Sequence, residues 1–219
     1  MTSPNLNQIA EALNPSGLPQ RFTPDVSRLI IALLRLIVEG RPVPLNQVEQ
    51  IAVEQGVSSE VANSVIRQMC ERDRDGSIVG LMGLSQNHHA HAFHVNGRRL
   101  ATWCAWDALF LPSLLRMTAE VESRCPATRE KIRLTVTPER VETYSPPSTT
   151  LSIIIPQTKA ASVGEIWMAF CNHIHFFKTR EAAAEWFATR PQKVYFLSPE
   201  EGFQLGQMQC GTMLTYAER

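Results

Sequence analysis

Two cysteines and one aspartate are the residues of this chain best suited to chemistry. Cys104 lies in Trp103-Cys104-Ala105-Trp106-Asp107, and Cys171 lies in Phe170-Cys171-Asn172-His173-Ile174-His175-Phe176-Phe177. Thiolates are soft ligands, so a pair of them is suited to a soft metal. The segment around Cys104 has the pattern of a helix, which predicts that Cys104 and Asp107 share one helical face. A thiolate and a carboxyl would then meet one substrate.

The charge balance favours a local site over a charged binding surface. The 219 residues include 21 Lys plus Arg and 21 Asp plus Glu, so no net charge attracts nucleic acid or an anionic membrane. The longest apolar stretch, Leu29 to Val38, contains Arg35 and is shorter than the roughly 20 residues of a membrane span. The N-terminus also lacks the pattern of a secretory signal. We therefore expect a cytoplasmic protein that does not bind membranes.

The cysteine count fits a reducing compartment. Five cysteines are an odd number at irregular spacing, and the cytoplasm keeps thiols reduced, so we expect free thiols. The five are Cys70, Cys104, Cys125, Cys171 and Cys210. Each could also be a small buried hydrophobic residue, because free cysteine is among the most buried residue types. We expect Cys70 to be a packing thiol, Cys210 a surface or packing thiol and Cys125 to give structural support, with metal relay by Cys70 or Cys210 as the alternative.

The N-terminal third has a helical pattern. Asp25 is the predicted cap of a helix over 26–39, and two shorter helices are predicted over 45–55 and 58–71, the last capped by Ser58. Asp75-Gly76 is typical of a hairpin turn. Three helices followed by a hairpin predict a winged-helix-like domain over residues 1–82.

A winged helix suggests DNA binding, but the local charges argue against it. Phosphate contacts need a basic surface that acidic residues do not neutralise. Around the helix predicted over 58–71, which would be the recognition helix, acidic residues offset the basic ones. The residues concerned are Arg67, Arg72 and Arg74 against Glu60, Glu71, Asp73 and Asp75. We expect a structural or substrate-covering role and no nucleic-acid partner.

The rest of the chain, residues 83–219, has a mixed pattern. From about Phe93 the pattern changes, and a helix that carries Trp103, Cys104, Trp106 and Asp107 is expected to end near Pro112. Short β-like runs punctuated by prolines then predict strands, followed by a late helix and a last strand. The predicted segments are 132–137, 141–144, 151–155, 181–188 and 194–197. We expect an α+β fold, with a catalytic domain of antiparallel sheet and helices.

Six histidines invite a zinc or nickel interpretation, which strand geometry weakens. If residues 88–95 are extended, His89 and His91 face one side while His88 and His94 face the other. These four side chains then cannot all converge on one ion. His173 and His175 are predicted on one face of a strand, as hydrogen-bonded support for the site.

An ordered set of motifs resembles the organomercurial lyases over nearly the whole chain. The set begins with Gly40-Arg41-Pro42-Val43 and Asp75-Gly76 with Ile78-Val79-Gly80, and continues with Arg98-Arg99-Leu100, the Cys104 segment and Leu109-Phe110-Leu111-Pro112. It ends with Cys125-Pro126-Ala127-Thr128, Leu134-Thr135-Val136-Thr137-Pro138 and the Cys171 segment. Such enzymes cleave carbon–mercury bonds. Two of their cysteines bind mercury, and an aspartate transfers the proton. The resemblance implies these roles for Cys104, Cys171 and Asp107, with winged-helix-like and catalytic domains.

The sequence also departs from the pattern of these enzymes. Thr102 replaces the usual alanine, Trp106 stands where leucine is common, and an extension through about Gln20 lacks a clear counterpart. None of these changes removes a catalytic group. Trp106 could narrow the substrate pocket, and Trp103 is the best candidate for a pocket wall.

Elementary chemistry supports the same roles. Mercury prefers thiolate to nitrogen or oxygen ligands, and an alkyl group leaves mercury only when it gains a proton. Asp107 could accept a thiol proton and deliver it to carbon, with its pKa raised by desolvation. No organic cofactor is needed. The expected partners are an organomercurial substrate, cellular thiols and, as a candidate Hg(II) acceptor, mercuric reductase.

Two other functions stay open from the sequence. A mercury- or thiol-responsive regulator would use the helix-turn-helix and treat the cysteines as a sensor. A thiol metal carrier would need both cysteines and have no use for Asp107. Replacing Asp107 therefore separates a carrier from an enzyme.

Overall fold

A computed structural model of the chain describes residues 5–13, 22–156 and 162–217. Its first part is helical, with α1 (Leu6–Leu13), α2 (Pro24–Ile37), α3 (Leu45–Glu54) and α4 (Ser59–Met69). Of the N-terminal extension, α1 packs on the last part of the chain, where Gln209 Nε2 donates to the Ala10 carbonyl at 3.1 Å. Residues 1–4 and 14–20 of the extension lie outside the described residues.

The start of α2 differs from the prediction. Thr23, in extended conformation, accepts the Val26 N–H with its side chain, and Pro24 occupies the first turn. The predicted cap Asp25 lies inside that turn and forms an ion pair with Arg28 at 2.6 Å. Proline is tolerated in a first helical turn because its missing N–H has no intrahelical acceptor there. The predicted cap of α4 is confirmed, since Ser58 accepts the Val61 N–H.

A hairpin follows α4, as predicted. Strands β1 (Cys70–Arg72) and β2 (Ile78–Leu81) pair antiparallel, and the Asp73 carboxylate accepts the Asp75 and Ser77 N–H groups in the turn. Gly76 has a φ of 84°, a left-handed conformation that glycine adopts without a steric cost. The hairpin therefore depends on the Asp-Gly turn.

The hairpin begins an eight-stranded antiparallel sheet with the strand order β1-β2-β3-β5-β4-β6-β7-β8. The further strands are β3 (Leu84–Ser85), β4 (His91–Val95), β5 (Arg98–Thr102), β6 (Ala119–Arg124), β7 (Lys131–Val136) and β8 (Val141–Ser145). Leu81 pairs with Leu84 across the β2–β3 turn, so the sheet continues through the predicted boundary at 82/83. The division into two domains stays a prediction.

A second, three-stranded antiparallel sheet has the order β10-β9-β11. Its strands and the later helices are β9 (Thr150–Ile154), α6 (Val163–Ala169), β10 (Phe176–Phe177), α7 (Arg180–Phe187), β11 (Val194–Leu197), α8 (Pro199–Cys210) and α9 (Thr212–Ala217). Ser198 and Glu201 form a reciprocal capping box at the start of α8. The predicted strands and late helix are confirmed within one or two residues, and so is the mixture of helices with antiparallel sheet.

The helix predicted to carry Trp103, Cys104, Trp106 and Asp107 is confirmed only from Asp107 onward, and it continues past Pro112. Phe93 lies in β4, and the chain turns at Asn96-Gly97, where both residues have positive φ, to form the β4–β5 hairpin. Helix α5 (Asp107–Leu115) begins only at Asp107, is buried at all nine positions and passes through Pro112. Burial on every side stabilises α5 despite the backbone hydrogen bond that proline removes.

A helix that spans a membrane must be both long and apolar. Within the three described ranges, we find no helix whose length and apolarity would let it cross a bilayer.

Candidate active site

Cys104, Asp107 and Cys171 come together in the core. One ligand atom from each lies within 4.8 Å of the other two, and no other group of three His, Cys, Asp or Glu residues converges in this way among the described residues. Exposed fractions are 0% for Cys104, 7% for Asp107 and 4% for Cys171. The sequence reasoning therefore named three side chains that do meet, although Cys171 lies 64 positions after Asp107 in the chain.

The link between Cys104 and Asp107 is not the shared helical face that was predicted. Cys104 lies in the turn between β5 and α5, and its backbone N–H donates to Asp107 Oδ2 at 2.8 Å. Thr102 Oγ1 donates to the Cys104 carbonyl at 2.8 Å, and the Ala105 N–H donates to the Ile174 carbonyl at 3.2 Å. Backbone hydrogen bonds thus fix the thiol against the carboxyl.

Cys171 opens a short 3₁₀ turn, Cys171–His173, which follows α6. Ser152 of β9 holds this segment, since its hydroxyl donates to the His173 carbonyl and accepts the His175 N–H, both at 2.9 Å. The prediction of His173 and His175 on one strand face is wrong, because β10 includes only Phe176 and Phe177. Strand β9 therefore anchors the segment that carries the second thiol.

Asp107 lies directly against the β2–β3 turn at Gly83. A Cβ atom built on Gly83 would overlap the Asp107 carboxyl carbon, and Gly83 has a φ of 94°. Only glycine combines this backbone conformation with the space that Asp107 occupies. The sequence analysis missed this residue, although Gly80-Leu81-Met82-Gly83 within a predicted hairpin was a signal of close approach.

Burial sets the protonation of the site. Desolvation raises the pKa of Asp107 to about 7, against the lowering effects of its hydrogen bonds with Cys104 and of the His89 charge. The pKa of the Cys104 thiol is also raised, first by desolvation and then by Cys171 and Asp107. At Cys171 the hydrogen bond with Cys104 lowers the pKa, but desolvation and the Asp107 charge outweigh it and raise the pKa. The two thiols therefore hold their protons near neutral pH, and binding of a soft metal would displace those protons.

The tryptophans beside Cys104 have different contacts. Trp106 donates its indole N–H to the Gly202 carbonyl at 2.9 Å and stacks edge-on against Phe110 and Phe170. Trp106 therefore fills space between α5 and α8. Trp103 instead donates its indole N–H to Glu71 Oε2 at 3.0 Å. The sequence analysis treated Glu71 only as a neutralising charge and missed this contact.

The histidines do not build a metal site among the described residues. His91 is buried and pairs with Ser123 Oγ at 2.8 Å, and its ring centroid lies 6.5 Å from that of His175. Burial lowers the pKa of His91 to about 3 and that of His175 to about 4, so both are neutral near pH 7. His91 and His94 lie in β4, whereas His88 and His89 precede that strand, and none of the four joins a converging ligand group in the described part of the chain.

The remaining cysteines are free and buried, as are Cys104 and Cys171. Burial raises the pKa of Cys70 and of Cys210 to about 12, which makes them unreactive packing thiols. The Cys125 sulfur accepts the Thr128 N–H at 3.4 Å within a tight turn. This contact is consistent with the expected structural support.

Comparison with known proteins gives one family. Its description is alkylmercury lyase, and its profile matches residues 84–211. An alkylmercury lyase of Pseudomonas putida is 37% identical over 97% of this chain and 95% of its own length. One of Staphylococcus epidermidis is 35% identical over 93% and 90%, respectively. The crystal structure of the mercury-bound form of MerB2 superposes with a TM-score of 0.75 and 25% identity, covering 95% of this chain and 98% of that one. The chain therefore belongs to the alkylmercury lyase family.

Proposed function

We propose that this alkylmercury lyase cleaves carbon–mercury bonds by protonolysis, with Cys104 and Cys171 binding mercury and Asp107 moving the proton. The observation that carries the proposal is the buried convergence of the three ligand atoms within 4.8 Å. Two thiolates are the ligands that mercury prefers, and the carboxyl lies beside both and shares a hydrogen bond with the Cys104 thiol. Mercury enters here as part of the substrate.

The first step is capture of the organomercury cation. The Cys104 and Cys171 thiols lose their protons as their sulfurs bond to mercury, and Asp107 accepts one of the two protons. The hydrogen bond that the Cys104 backbone N–H donates to the Asp107 carboxylate keeps this carboxylate beside the sulfur. With a pKa of about 7, Asp107 both accepts and releases a proton near neutral pH.

The second step breaks the carbon–mercury bond. Donation from two thiolates increases the electron density on carbon, and the electron pair of the bond takes the proton from Asp107. The products are a hydrocarbon and Hg(II) bound to the two thiolates. Of the two thiol protons, one ends on carbon and the other is released to solvent. Water exclusion around the buried cluster strengthens each of these electrostatic effects.

Residues 1–82 are proposed as a winged-helix-like unit that packs on a catalytic domain of residues 83–219 and does not bind DNA. Helix α2 packs against β2, α5 and α9, which supports a covering role. Titration of labelled duplex DNA at low salt tests this, because weak electrostatic binding is most visible there. Tight, sequence-dependent binding would favour the regulator.

Turnover needs a route for the product. We propose that cellular thiols deliver the substrate and withdraw Hg(II), that mercuric reductase is a candidate acceptor, and that the reaction takes place in the cytoplasm. Small thiols compete directly for a metal held by two thiolates. The five free cysteines support a reducing compartment.

The experiment is to incubate the purified protein with an arylmercury compound and excess thiol and to measure the released arene. We expect one arene per Hg(II) formed, with repeated turnover. A carrier would bind the compound intact and release no arene.

A further inference from the structure

Glu71 has an unusual set of partners for a residue outside the thiol cluster. Its Oε2 accepts the Ser85 hydroxyl at 2.6 Å and the Trp103 indole N–H at 3.0 Å, and lies 3.4 Å from His89 Nε2. Its Oε1 accepts the Asn87 side-chain amide at 2.6 Å. One carboxylate thus joins β1, β3, the segment after β3 and the turn that carries Cys104.

The fold makes room for this carboxylate. Glu71 pairs with Gly80 across the β1–β2 hairpin, and a Cβ atom on Gly80 would lie 2.6 Å from Glu71 Oε2. The missing side chain lets Glu71 cross β2 and reach Ser85 and Trp103. The Glu71 side chain is 20% exposed, so its hydrogen bonds are only partly replaceable by water. Those bonds lower its pKa to about 2 although desolvation acts in the opposite direction, which keeps Glu71 an acceptor.

Trp103 connects Glu71 with the reacting groups. Its indole is held by Glu71, while its backbone N–H donates to the Gly83 carbonyl at 2.8 Å. Gly83 touches Asp107, and Cys104 is the next residue after Trp103. A shift of the Trp103 backbone would therefore move Cys104 relative to Asp107.

We propose that Glu71 is a positioning residue for carbon–mercury cleavage. It holds the Trp103 indole and thereby fixes the position of the Cys104 sulfur relative to Asp107 and Cys171. This inference rests on the proposed function. A displacement of about 1 Å is enough to cost up to about 10²-fold in rate when reacting atoms must be aligned. Glu71 itself touches no reacting atom.

The test uses four variants. Trp103→Phe removes the indole donor together with part of the buried ring, and Glu71→Leu removes every acceptor at similar size. For both we expect kcat to fall about tenfold or more, with KM and mercury stoichiometry close to the parent values. Glu71→Gln keeps an amide oxygen that can accept the indole N–H, so it should restore most of kcat. The double variant, with Glu71→Leu and Trp103→Phe together, should be no slower than Glu71→Leu alone, because each change breaks the same hydrogen bond.

The matched control is Glu122→Gln, which alters an exposed carboxylate on Arg133 and should leave kcat unchanged. Parent-like kcat in Trp103→Phe would overturn the inference even if Glu71→Leu fails to fold. Multiplying losses in the double variant would also overturn it, since the two residues would then act independently. A parent protein that releases no arene would instead overturn the proposed function.

Discussion

Two carboxyl groups in neighbouring parts of the molecule have opposite protonation behaviour. Asp107 and Glu71 each lie against a glycine, at Gly83 and Gly80, and at both carboxyls desolvation acts in the direction that raises the pKa. Yet the pKa of Asp107 is about 7 and that of Glu71 is about 2. The two environments differ in their hydrogen-bond donors.

Donors to the charged form decide the outcome. Glu71 has the Ser85, Asn87, Trp103 and His89 side chains around it, which stabilise the carboxylate. Among the described residues, Asp107 has the Cys104 thiol and backbone N–H and the charge of His89 to oppose the effect of its burial. One carboxyl is therefore suited to holding neighbours in place and the other to carrying a proton.

The largest effect is expected from replacing the two thiols that lie beside Asp107. Cys104→Ser and Cys171→Ser should each abolish arene release, because a hydroxyl is a hard and barely ionised ligand that cannot replace a thiolate. Turnover at saturating arylmercury measures this. Cys70→Ser is the matched control, a buried thiol outside the cluster, and should keep most of the activity. Near-parent activity in either active-site variant would contradict mercury binding by both Cys104 and Cys171.

The pH dependence of stability tests the difference in pKa between the two carboxyls. The folded pKa of Asp107 lies above its ordinary value of 3.8, so its contribution is fully present below pH 3.8 and is lost as pH rises to about 7. Relative to Asp107→Asn, the metal-free parent should lose about 4 kcal/mol of unfolding free energy over that range. Denaturant titrations of both proteins at several pH values measure it. A difference that does not change with pH would contradict the raised pKa.

Glu71 should show the opposite slope. Its folded pKa lies below the ordinary 4.5, so its contribution is present above pH 4.5 and is lost as pH falls to about 2. Relative to Glu71→Gln, the parent should therefore lose stability on acidification. The same denaturant titrations reveal the sign, and a parallel slope for both carboxyls would remove the distinction between them.

The close approach of Gly83 to Asp107 predicts a smaller effect on rate. Gly83→Ala should lower cleavage by about 10²-fold, since the new Cβ displaces the carboxyl. Gly97→Ala is the matched control, because Gly97 also has positive φ (70°) but nothing within 4 Å of its built Cβ. Single-turnover rates should separate the two variants. Equal rates would contradict the displacement of the Asp107 carboxyl by the new Cβ atom.

Local patterns predicted much of the fold. The Asp75-Gly76 turn, the Ser58 cap and the alternating strands from residue 131 onward were readable because each depends on neighbours in sequence. The helix around Cys104 was mispredicted, since Asn96-Gly97 redirects the chain into a hairpin and α5 is stabilised by burial on all sides. Tertiary packing, which no local window contains, decided that region.

The site residues were named through family motifs more than through geometry. Spacing alone proposed a shared helical face, whereas a backbone hydrogen bond at the start of α5 joins Cys104 to Asp107. Glu71 and Gly83 were missed because their importance lies in contacts across β2 and the β2–β3 turn. A glycine beside a buried carboxyl becomes visible only when both are placed in three dimensions.

Asp107→Asn provides the most direct test of the proton-transfer role. The measurement compares mercury bound per protein with hydrocarbon released in a single turnover. We expect one mercury per protein, as in the parent, and a cleavage rate lower by about 10²–10⁴, because the amide cannot accept a thiol proton and return it to carbon. Cleavage at the parent rate would contradict the assignment of Asp107 as the proton carrier.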